Sequence, residues 1–276
     1  MVLAALNRLF SRQAPRPPHA AYQDHLVKVV GNTITQGKGF DDRVPGAVEQ
    51  AWVYLDRQVQ AIPGPFPIAA DAHGNDAFAQ AIFPAQADIR AALGRSLAAK
   101  DALQRLDAGQ SDVYALMGMR LRSPGNGAAD VFADHTIRSL ATTEEACRDQ
   151  LRFAAFARLV VQFNEHVDKL KRAGRMLASE WNTDLPPGAP VEANAYVTAV
   201  RELAPDNMVK GLLAWLGSPE KFLRLELGKV PVCAMELPLM HCFDRRHWAV
   251  CLLRLPITEL AAAIREEARA HRYIFI

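Results

Sequence analysis

Between Thr142 and Trp181 the chain has no proline, and apolar or small residues return at alternating steps of three and four: Phe153, Phe156, Val160, Phe163, Val167, Leu170, Gly174, Leu177, Trp181. Such a stripe keeps one face of a helix against a partner along its length. Thr142 and Glu145 stand in the T-x-x-E relation of a capping box, which predicts the helix start. At 1.5 Å per residue an unbroken helix here is roughly 58 Å long. A compact chain of 276 residues has a radius of gyration of only about 19 Å. The bulky half, Phe153 to Phe163, is therefore expected in the core, and the later half, with Gly174, is expected to reach a partner.

A second stripe, Val44, Val48, Ala51, Leu55, Val59 and Ile62, follows the capping residues Asp41 and Asp42 and a first-turn Pro45. It is the expected packing partner of the long helix. An Ala-rich helical stretch runs from Asp76 to Asp107, broken at Pro84 and weakened at Gly94. The period then changes to two. In 131–139, Val131, Ala133, His135 and Ile137 alternate with Phe132, Asp134, Thr136 and Arg138; with Ala115–Arg122 and the turn residues between, this predicts a β-hairpin. Leu223 to Leu227 alternates as a half-buried strand, Val230 to Leu237 is continuously apolar as an interior strand is, and His241 to Leu255 predicts a strand pair turning at Asp244-Arg245-Arg246. Met208 to Leu216 reads as a helix apolar on more than one side. The fold class is helix-rich α+β, with one long central helix over about 142–181 and a mainly antiparallel sheet. A Pro-rich linker sets off residues 1–18 from a single domain, helical over 19–110 and sheet-containing over 111–276.

Half of the residues are hydrophobic and the net charge is +2, so a large core is available and no global charge argues for nucleic acid or an anionic membrane. Cys147, Cys233, Cys242 and Cys251 lie in apolar or helical contexts, as reduced cysteines of a cytoplasmic protein do. His241, Cys242, His247 and Cys251 are ligand types for zinc, but on a strand His247 and Cys251 would be about 13 Å apart, too far to share one ion. No metal or other cofactor is expected. The loop from Gly31 to Gly39 misses the phosphate-binding pattern by one residue between its glycines and by a glycine where a hydroxyl is needed. It reads as a flexible turn.

Two constellations remain. Cys147 at a helix start, facing His247 on a strand, is similar in arrangement to papain-like cysteine hydrolases, which would imply a thiolate nucleophile and its base. No Asn or Asp follows His247 to orient it; Glu259 is the near acidic residue. Lys169, Lys171, Arg172 and Arg175 form a basic cluster that, with Arg245 and Arg246, could contact phosphate. His135 is expected as a hydrogen-bonded core histidine, and Asp134 as a partner of Arg120, Arg122 or Arg138. The reading best supported is a non-enzymatic scaffold, adaptor or accessory subunit. Leu177, Trp181, Lys169, Arg172 and Arg175 would meet another protein or a second copy of the chain. A hydrolase using Cys147 and His247 is the alternative, and a nucleic-acid accessory protein the second.

Overall fold

A computed structural model describes residues 19–105, 109–122, 131–181, 200–232, 235–242 and 247–272, without the side chains of 177–181, 227–232, 235, 242 and 271–272. The architecture is α+β. The helices are α1 (Ala20–Val30), α2 (Asn32–Thr35), α3 (Phe40–Gln60), α4 (Ala77–Ile82), α5 (Gln86–Arg95), α6 (Leu97–Leu103), α7 (Glu144–Trp181), α8 (Pro205–Leu216) and α9 (Ile257–Arg272). The strands are β1 (Phe66–Pro67), β2 (Asp112–Arg122), β3 (Val131–Ala141), β4 (Leu223–Val232), β5 (Met235–Cys242) and β6 (His247–Pro256). The expected break at Pro84 separates α4 from α5. The long helix is continuous over 38 residues. Its cap differs from the expected box: Thr143 Oγ accepts from Ala146 N at 3.1 Å, so Thr143 caps the helix and Glu145 turns instead to Arg152, at 3.0 Å.

Contacts divide the chain into two compact units. One holds the described residues up to Val53 together with Phe156–Ser218; the other holds Tyr54–Ala155 and Pro219–Ile276. The division falls inside α3 and α7. A boundary carried by two uninterrupted helices leaves no linker to read.

The sheet lies in the second unit, in the order β3-β2-β6-β5-β4. All pairs on this path are antiparallel; β1 joins β6 in parallel, Phe66 beside Leu253. The hairpin and the C-terminal strands thus share one sheet, as their common need for a cover predicts. One face (Val113, Ala115, Met117, Met119, Ala249, Cys251, Leu253, Leu255) packs on Ile82, Ile89, Leu93, Ala99, Leu260 and Ala263 from α4, α5, α6 and α9. The other (Leu116, Val250, Leu252) packs on Val59 and Ile62 at the end of α3 and on Cys147 and Leu151 at the start of α7. Gly94 is a point of close approach: a Cβ there would lie 2.7 Å from the Ala263 carbonyl oxygen. The apolar run Val230–Leu237 is divided between the end of β4 and the start of β5, which pair antiparallel, and is therefore not one interior strand. At the outer margin of β4, Tyr54 Oη donates to Leu223 O at 2.9 Å and Leu225 N donates to Gln58 Oε1 at 2.8 Å.

Strand β3 departs from simple alternation. Its pairing with β2 slips by one residue twice, between Tyr114 and Leu116 and between Gly118 and Arg120. Within the extra stretches Asp134 and Ser139 each have φ of 53°. A bulge reverses which side chains face inward. Phe132 is accordingly in the core with Ile137 and Leu140, while Val131, which shares the strand phase of Ile137 in simple alternation, is exposed.

In the first unit Phe156, Val160, Phe163 and Val167 are buried, but Phe153, just across the boundary, is 37% exposed. The aromatic partners in this unit are Tyr22 for Phe156, edge-on at 5.1 Å, and Trp215 for Phe163, at 5.8 Å. Trp215 Nε1 also donates to Leu159 O at 3.1 Å, and Asn164 Nδ2 to Val29 O at 2.6 Å. The α3 stripe is buried from Val44 to Ile62. At its end Val59 and Ile62 share a cluster with Cys147 and Leu151 of α7. Helix α8 buries one face only, Met208, Val209, Leu212 and Leu216.

Candidate functional site

On α7 burial changes after Val167. From Asp168 to Met176 the described side chains are exposed except Leu170, which is half-buried; Gly174 is covered. Lys169, Arg172 and Arg175 are exposed, with Met176 beside them at 63%. At 3.6 residues per turn, Lys169, Arg172 and Met176 share one face, one turn apart. Arg172 Nε donates to the Asp168 carbonyl oxygen at 3.2 Å, and Lys171 Nζ lies 3.6 Å from Asp168 Oδ1. Arg158 occupies Glu165 at 3.2 Å. Exposed pairs of this kind contribute little to stability, under about 1 kcal/mol each. Helical spacing alone could have placed Met176 beside the cations, yet the heptad stripe drew attention to Leu177 instead. The backbone of Leu177 and Trp181 is helical; their side chains lie outside the described residues, as do Arg245 and Arg246.

The Cys147–His247 pair does not form. Cys147 is fully buried, its Sγ donating to Ser139 O at 2.9 Å. Burial pushes the thiol up to about 12, with Glu144 adding to the rise against Arg148 and a Leu116 backbone hydrogen bond. A thiol so held is not a nucleophile at neutral pH. Cys147 shares its core cluster with Val250 and Leu252. Successive residues of a strand point to opposite faces, so His247, in phase with Ala249 and Cys251, projects from the other side of the sheet. A helix N-terminus favours a thiolate, but at Cys147 removal from water outweighs it.

His247 is exposed and meets His241 across the β5–β6 pairing, the rings 4.1 Å apart and edge-on. His241 Nε2 is 2.9 Å from Glu226 Oε2, whose other oxygen is 2.7 Å from Arg224. Cys251 lies in the core, its thiol also raised to about 12 by burial. Cys233 and the side chain of Cys242 lie outside the described residues. Among the described residues no three His, Cys, Asp or Glu groups are placed to hold one metal ion.

The Gly31–Gly39 loop is not a free turn. Residues Asn32–Thr35 form a helical turn, Lys38 N donates to Asp206 Oδ1 at 2.8 Å, and a Cβ on Gly37 would lie 2.7 Å from Pro205 O. Gly37 is required by the approach of α8.

His135 is a hydrogen-bonded histidine. Its Nε2 carries the hydrogen donated to Ile82 O at 2.7 Å, and its ring stacks on Phe83 at 4.5 Å. Asp134 receives Arg120 at 3.2 Å and Arg122 at 2.9 Å. Burial holds the His135 pKa below its ordinary value, against the opposing Ile82 hydrogen bond, Asp88 and Asp134. On acidification the unfolded chain takes up this proton first. The stability due to neutral His135 is whole above about pH 6.5 and is lost as pH falls through the lower folded-state pKa. Melting curves between about pH 7.5 and about pH 5.5 should show a smaller acid-induced drop for His135→Gln than for the parent chain; equal drops would remove His135 as the cause.

No family model, curated protein or solved structure matches the chain. Among the described residues no helix is long and apolar enough to cross a membrane.

Proposed function

We propose that this chain is a non-enzymatic interaction protein, a scaffold, adaptor or accessory subunit, and that it engages its partner through the late part of α7. One observation carries the reading: an unbroken helix continues to Trp181, while its buried stripe ends at Val167 and the side chains described from Asp168 to Met176 are exposed except Leu170. A helix that only completed a core would end where its buried face ends. The buried thiol of Cys147 and the sheet between it and His247 take away the support for a hydrolase. The test is Leu177→Asp. Its melting midpoint should stay within about 3 °C of the parent, the shift from about 1 kcal/mol in a chain of this size. Light scattering and co-purification from the native host should show a lost or weakened complex. Unfolding as severe as that of a core variant would mean that the whole stripe is core, and the reading falls.

A further inference from the structure

We infer that the segment docking on the late α7 face is an acidic stretch of a different protein, and not a second copy of this chain. The inference rests on the reading of that face as an interaction surface. Lys169, Lys171, Arg172 and Arg175 lie within seven consecutive residues, with Asp168 the one carboxylate adjoining them. Asp168 is engaged by Lys171, and Glu165 by Arg158. Lys169 and Arg175 have no ion-pair partner among the described residues.

Self-pairing meets a charge conflict in either orientation. A parallel pair sets each cation beside its own copy. An antiparallel pair centred near Arg172 sets Lys169 against Arg175 and Arg172 against itself. Like charges so placed oppose association, whereas an acidic surface gains from all of them and is steered toward the face. A helix face crowded with arginines and lysines suits an acidic partner. An anionic bilayer fits less well, because Glu165 and Asp168 stand on the same helix turns. Single-stranded nucleic acid would need aromatic rings among the cations for stacking, and none occurs from Lys169 to Met176.

The test uses the full chain and a labelled three-heptad peptide with Leu at a and d and Glu at e and g. Its counterpart carries Lys in place of Glu. Fluorescence anisotropy should show binding of the acidic peptide alone, weakening as salt rises toward physiological strength. The triple variant Lys169→Glu/Arg172→Glu/Arg175→Glu should bind about tenfold or more weakly, with an unchanged melting curve. Light scattering should show a monomer. Binding that survives the charge reversal overturns the inference, as does a dimer dissolved by Leu177→Asp. Displacement of the peptide by a DNA duplex or by phosphatidylserine vesicles at matched charge also overturns it. If Leu177→Asp instead unfolds the chain, the interaction surface itself is lost. If that variant stays folded and loses its native complex while charge reversal changes nothing, only the acidic partner is wrong.

Discussion

Phe156→Asp is expected to destabilise the protein by at least about 4 kcal/mol, which lowers the melting midpoint of a chain this size by on the order of 10 °C. Phe156 has no solvent exposure and meets Tyr22 edge-on. Truncating a fully buried phenylalanine alone costs about 3–5 kcal/mol. The carboxylate adds a desolvation cost, because it must either stay charged without a partner or take up a proton. Phe153→Asp is the internal control. It lies three residues away but is 37% exposed, so the same change should cost about 1 kcal/mol or less. Melting both variants separates core from surface on one helix. Equal shifts would place the buried face of α7 wrongly.

Arg148→Ala should cost about 3 kcal/mol, for a different reason. The Arg148 side chain is 7% exposed and pairs with Glu144 at 2.8 Å. Its Nη1 donates to Val59 O at 2.6 Å, and its Nη2 to Ile62 O at 3.3 Å. Val59 O, in the last turn of α3, also accepts from Ile62 N at 3.2 Å, and Ile62 O lies just past the helix end. The guanidinium is the buried cap of that helix. Removing it takes a buried charged donor from both carbonyls, and a loss of this kind costs about 1–3 kcal/mol. Arg148→Lys should restore less than half, since an ammonium cannot present the planar fork that reaches both carbonyls. Urea denaturation measures both. A loss below about 1 kcal/mol for the alanine variant would mean that water replaces the cap.

The core position of Phe156 was legible in the sequence, and the Arg148 cap was not. The stripes on α3 and α7 announced long helices because a period near 3.6 survives any choice of partner. Which residues meet across them was not legible: the stripe alone could not show that Phe156 and Phe163 find Tyr22 and Trp215 in their unit, while Val59 and Ile62 find Cys147 and Leu151. The hairpin was legible from its alternation, but its phase was not. Alternation assumes one residue per step, and the bulges at Asp134 and Ser139 break that assumption without any glycine to mark them. The apolar stretch Val230–Leu237 hid the passage from β4 to β5 because both strand ends are apolar. For the candidate site, the exposure of Lys169, Arg172 and Arg175 agrees with a charge-rich helix face. The Cys147–His247 pairing failed on parity: a one-residue difference along β6 decides on which side of a sheet a side chain emerges.

The two margins of the sheet bear on how copies of this chain could assemble. At one margin Tyr54 and Gln58 occupy the outward carbonyl of Leu223 and the outward amide of Leu225. At the other, β3 is thrown out of even spacing twice, and Ser96 Oγ reaches Ile137 O at 3.5 Å. An incoming strand needs a straight run of evenly spaced free amides and carbonyls, and these stretches offer none. End-to-end growth of the sheet into fibres is blocked there by two unrelated devices, one made of side chains and one of spacing. Crowding the chain to high concentration should therefore not add a strand at these stretches, which leaves the helices to make contacts there.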